Sequence, residues 1–242
     1  MGEVEGIYQK RLAQKAVLGL PREDAIYAVF NYFLSAHQTS PHRFTIYPQM
    51  ALQWNPMAQG DRRAEVPDFG LGNFTLPGHL PFFKLRCGVE AKRALEIMAQ
   101  LPGPESIISN RDLIATFHWL YIQAQNQAKA SYRNDYPLAS DGIWWILLVG
   151  PYWMPSKFGP FSEAELGVRA LKPSGSDDFE ETMKLLQAVN RPLPSKLSKL
   201  YLLGTPESYR QLERILTSTD ALAQPYINVS FTLSTTFYCE LL

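Results

Sequence analysis

Apolar and polar positions change period several times along the chain, and each change marks an element. Ile26, Tyr27, Phe30, Phe33 and Leu34 recur at the spacing of one helix face. Leu20-Pro21-Arg22-Glu23-Asp24 opens that helix: proline suits a first turn, and the two carboxylates meet the positive end of the helix dipole. An earlier helix is expected over 4–18, and the polar stretch 37–42 ends the second one. Alternation around Ile46 and Pro48 predicts a strand over 44–52, which Pro48 makes either an edge strand or a broken one because it cannot donate to a ladder. Residues 53–64 read as a loop, 65–74 as a short strand running into a glycine-rich turn, and 76–81 as a second turn. Over 82–92 the alternation is sustained: Phe83, Leu85, Cys87 and Val89 fall to one side, Lys84, Arg86 and Glu90 to the other.

Pro102-Gly103-Pro104 interrupts the chain ahead of its longest helical pattern, over 110–132. Asn110 can cap that helix, and Leu113, Phe117, Leu120, Tyr121 and Ala124 form its apolar stripe. The run 142–152 is continuously aliphatic and aromatic, as in one strand buried on both faces. Helices are expected over 179–190 and 207–218, a short apolar element over 197–204, and a terminal strand over 228–242. Strands and helices are interleaved, which predicts an α/β/α sandwich around a small mixed sheet, with additional C-terminal helices and a terminal strand.

Composition narrows the function classes without choosing one. A chain of 242 residues that is 46% hydrophobic and 19% charged can form one large domain with its own core, here expected to span 1–242. The formal net charge of +0 argues against holding nucleic acid by bulk charge, while leaving a local basic groove open. Cys87 and Cys239 are too few for a disulfide framework, so an intracellular setting is expected, nuclear or cytoplasmic alike. The histidines form no close ligand pair. The longest apolar run, 143–149, is too short to span a bilayer, and no membrane partner is expected.

Chemistry concentrates in Val66-Pro67-Asp68-Phe69 and Gly88-Val89-Glu90-Ala91-Lys92. Each carboxylate is placed at the end of an expected strand. The period of two puts Glu90 and Lys92 on one face of theirs. If the strands are neighbours, Asp68 and Glu90 can share a divalent cation. Mg²⁺ (or Mn²⁺) suits them, being a hard ion that takes oxygen ligands and keeps water. Phosphodiester hydrolysis needs such a set: a metal to stabilise added negative charge, and a lysine to orient or deprotonate water or to neutralise the phosphate.

This pattern resembles the signature of the PD-(D/E)XK nuclease superfamily, which has the restriction-endonuclease-like fold. Pro67-Asp68 and Glu90-Ala91-Lys92 carry the resemblance, within an order of helix, three-strand meander, long helix and buried strand. It covers a core of about 20–155 and leaves 156–242 as a C-terminal extension. The resemblance implies catalysis by Asp68, Glu90 and Lys92, with the metal held by Asp68, Glu90 and the Ala91 carbonyl. It adds Glu23 on the first helix and Gln123 or Gln127 on the helix after the motif as further site candidates. One branch of the superfamily has a tyrosine four residues after its glutamine; Gln127 and Ser131 stand there instead, so that branch is not assigned.

Lys84, Arg86 and Arg93 are expected to contact substrate, the first two from the face that carries Glu90. Trp144 and Trp145 are assigned to core packing rather than base stacking, and Tyr152, Trp153 and Lys157 to a rim. The expected activity is metal-dependent hydrolysis of phosphodiester bonds with DNA as partner, with a homodimer left open. Its rivals are an inactive nucleic-acid- or protein-binding module on the same fold, and an unrelated structural protein in which the motif is accidental.

Overall fold

Six strands hydrogen-bond into one mixed sheet in the computed structural model, which describes residues 24–36, 45–53, 64–75, 82–134, 141–167 and 196–218. In chain order the elements are α1 (Asp24–Ala36), β1 (Thr45–Pro48), β2 (Leu52–Gln53), β3 (Ala64–Glu65), β4 (Phe69–Thr75) and β5 (Phe82–Lys92). They continue as α2 (Pro104–Ile107), α3 (Arg111–Arg133), β6 (Ile143–Val149), β7 (Tyr152–Phe158), α4 (Glu163–Gly167), β8 (Tyr201–Leu202) and α5 (Pro206–Ser218). The helices expected over 4–18 and 179–190, the turn over 76–81 and the strand over 228–242 lie outside the described residues.

The sheet order is β1-β4-β5-β6-β7-β8, with β2 and β3 forming a separate two-stranded pair. β5 and β6 are parallel, and the other neighbours are antiparallel. Parallel neighbours need a long crossover, and α3 lies within it. Asn110 caps α3 as expected, its Oδ1 accepting from Leu113 N–H at 3.0 Å. β1 occupies a sheet edge, as Pro48 requires.

Helices cover both faces. On one, Leu113, Phe117, Leu120, Ala124 and Ala128 of α3 pack with Phe83, Leu85, Trp145 and Leu147. On the other, α1 and α5 pack through Ile26, Phe30, Phe33, Leu212 and Ile215 onto Phe69, Leu71, Cys87, Val89 and Ile146. Among the described residues no helix is long and apolar enough to cross a membrane.

β5 contributes to both faces from odd-numbered positions, which an uninterrupted strand cannot do. Phe83 and Leu85 belong to the α3 side, whereas Cys87, Val89 and Ala91 belong to the α1 side. The switch is a β-bulge. Leu71 pairs with Cys87 and Gly72 with Leu85, so Arg86 is an extra residue. Beyond it, Gly88, Glu90 and Lys92 face α3.

Three expectations are corrected by packing. The 142–152 run is a hairpin, not one strand: β6 stops at Val149, the chain turns at Gly150-Pro151, and β7 returns. The glycine-rich stretch after Asp68 is no turn but the body of β4. A Cβ on Gly72 would lie 2.1 Å from the Lys84 carbonyl oxygen, so glycine permits the close approach of β5. Tyr152 and Trp153 are fully buried rather than at a rim. The Tyr152 hydroxyl donates to Pro102 O at 2.5 Å, and Trp153 Nε1 donates to Ser208 Oγ at 2.8 Å, tying α5 to the sheet. Trp145 is core as expected, while Trp144 is half-buried beneath the Lys157 ammonium, 5.7 Å from its ring centroid.

Gly88 lies flat against the Trp145 indole: a Cβ there would fall 2.2 Å from Cε2. Gly88→Ala therefore overpacks the core and should cost about 2 kcal/mol, measured as a lower urea midpoint at unchanged slope. Burial pushes the Cys87 thiol well above its usual range, which keeps it a neutral, unreactive thiol. In a Cys239→Ser background, a thiol reagent at pH 8 should label Cys87 only when the protein is unfolded; rapid native labelling would contradict this burial.

Candidate functional site

Glu90 is 2% exposed, and a carboxylate buried to that extent requires hydrogen-bond donors. α3 provides them in one line along its length. Gln123 Nε2 donates to Glu90 Oε1, and one turn later Gln127 Nε2 donates to Oε2 at 2.6 Å. One turn earlier on the same line, the ring of Trp119 lies under the Lys92 ammonium, 5.8 Å from the centroid. Glu90 and Lys92 thus share the α3 face of β5, as the period of two requires.

Asp68 occupies a bend just ahead of β4, not a strand end. Its main-chain oxygen accepts from Gln49 N–H at 2.9 Å. Phe69 pairs with Val89, so extending the ladder by one residue sets Asp68 opposite Glu90. Its carboxylate reaches the motif strand: Ala91 N–H, the amide of the peptide joining Glu90 to Ala91, donates to Oδ2 at 2.6 Å. The Tyr27 hydroxyl of α1 donates to Oδ1 at 2.7 Å. The N–H and C=O of one residue in a strand point to the same side. The Ala91 carbonyl therefore points toward the Asp68 side of β5, past the end of the β4 ladder.

The remaining candidates fall elsewhere. Arg86 is buried at the bulge, and Lys84, half-buried, lies before it on the α1 side. Lys84 therefore does not share the face of Glu90: alternation fails there because the bulge inserts one residue and exchanges the faces. Arg93 is exposed directly after β5. Glu23 lies outside the described residues.

Two residues at this place are absent from the sequence-based candidates, Tyr27 and Trp119. Tyr27 reads as part of the apolar stripe of α1. Trp119 stands one turn before Gln123 and extends the same stripe.

Asp68, Glu90 and the Ala91 carbonyl are hard oxygen donors at neighbouring positions of β5 and the bend beside it. Among the described residues no group of three or more His, Cys, Asp or Glu side chains gathers at one point. Two carboxylates and a carbonyl fit Mg²⁺, an ion that usually retains several waters and needs few protein ligands. The orphaned Oε1 of Gln127 agrees with this. It is buried beside Glu90, has no hydrogen-bond donor among the described residues, and is suited to accept from a water.

Replacing Gln127 by leucine removes one donor from a buried carboxylate. Gln127→Leu should destabilise the fold by about 1.5–3 kcal/mol in urea unfolding, and much less in a Glu90→Leu background. Equal losses in both backgrounds would show that the Gln127 amide does not act through Glu90. Compared with protein-family models, curated proteins and solved structures, the chain matches none of them.

Proposed function

We propose that the protein is a Mg²⁺-dependent nuclease of the PD-(D/E)XK class, hydrolysing phosphodiester bonds in DNA. The observation that carries this reading is the contact of the Asp68 carboxylate with the Glu90–Ala91 peptide, with Lys92 on the same face as Glu90. The architecture supports it: a helix, an antiparallel meander β1-β4-β5, a long helix, and a strand parallel to the motif strand. That order is what a restriction-endonuclease-like α/β/α sandwich requires, with β7, β8 and α5 as additions.

In this reading Asp68, Glu90 and the Ala91 carbonyl hold the cation. When bound, the ion supplies charge stabilisation and a more acidic water. The amides of Gln123 and Gln127 orient the Glu90 carboxylate by donating to both of its oxygens. Lys92 brings three donors to the same face, positioned to orient the attacking water or to neutralise a phosphate oxygen. Trp119 restricts where the Lys92 ammonium can rest.

The test compares the protein with Asp68→Ala, Glu90→Ala and Lys92→Ala on linear, circular and single-stranded DNA and on RNA, with Mg²⁺, Mn²⁺ or EDTA. Cleavage is expected to need metal and to fall by roughly 10²–10⁴-fold in Lys92→Ala, whose metal binding survives. Wild-type rates in all three variants would sink the reading. Nucleic-acid binding without turnover would identify the same scaffold as a binding module.

A further inference from the structure

We infer that Tyr27 is a positioning residue for Asp68, fixing its carboxylate for a divalent cation; the inference rests on the nuclease reading of this site. Asp68 lies in a bend ahead of β4, where the ladder with β5 has not yet begun. Its side chain is located instead by donors from two other elements, Ala91 N–H of β5 and the Tyr27 hydroxyl of α1. Tyr27 is itself held. Its ring meets Phe69 edge-on at 5.6 Å and 89°, and Phe69 packs on Phe30 at 6.4 Å. The α1 helix thus sets the position of one hydroxyl against one carboxylate oxygen.

The choice of donor has a chemical meaning. A phenol O–H fixes a carboxylate without adding positive charge, whereas an arginine or lysine in its place would repel the cation that the carboxylate is to bind. Each carboxylate oxygen has two lone pairs, so a donor on one of them does not by itself bar the oxygen from a metal. Tyr27 therefore orders the ligand before binding while preserving its charge, as second-shell partners of metal ligands do.

The test is Mn²⁺ binding to the protein alone, without nucleic acid, followed by the electron paramagnetic resonance signal of free Mn²⁺. Tyr27→Phe keeps the ring on Phe69 and removes one oxygen. It should weaken Mn²⁺ binding roughly ten-fold with little change in melting temperature. In an Asp68→Ala background, where binding is already lost, it should have no further effect. Unchanged affinity in Tyr27→Phe, or a loss that only accompanies unfolding, overturns the inference. If Asp68→Ala abolishes binding while Tyr27→Phe does not alter it, the nuclease reading stands and the role of Tyr27 falls. If Asp68→Ala also leaves binding unchanged, the reading of the site itself falls.

Discussion

A carboxyl group shut away from water needs hydrogen-bond partners within the protein, and Glu90 ties the architecture together through that need. Its donors come from α3, the helix between β5 and β6. One register of α3 over β5 places Gln123 and Gln127 on Glu90 and Trp119 on Lys92. Sliding the helix by one turn would leave Glu90 with at most one of its two glutamine donors and take Trp119 off Lys92. The parallel pairing of β5 with β6 and the flat packing of Trp145 on Gly88 hold the other side of the same arrangement. Sheet, crossover and candidate site are therefore one construction.

Much of this was legible in the order of residues. Sustained alternation defined β5, and a polar cap followed by a long apolar stripe defined α3, because both patterns extend far enough to have a single solution. The β6–β7 hairpin was not separated, since 142–152 is apolar on both sides of the turn and hydropathy does not change across it. Gly150-Pro151 was the local signal for the break. The glycines of β4 were misread because Gly70 and Gly72 have the composition of a turn. Their role is to let β5 and its side chains approach closely, and that depends on a partner strand which composition does not reveal.

The candidate site divides in the same way. Glu90 and Lys92 share one face of β5, as spacing along a strand places them, while Asp68 reaches that strand from a bend rather than from a strand end. Lys84 does not share that face, because alternation is a local rule and the bulge cancels it between Leu85 and Cys87. Tyr27 could be seen only as an apolar helix residue. The carboxylate that makes its hydroxyl useful is brought to it by tertiary packing.

The extra residue at Arg86 gives β5 a reading frame. Everything after it is offset by one from everything before it, and deleting Arg86 would close the ladder with both halves of the strand still on their native faces. Were the same residues instead to run as one regular strand from Phe83, Glu90 and Lys92 would turn toward the α1 layer, away from Gln123 and Gln127, and Cys87, Val89 and Ala91 would turn the other way. Which side of the sheet bears the acidic and basic groups is thus set by the bulge as much as by residue identity.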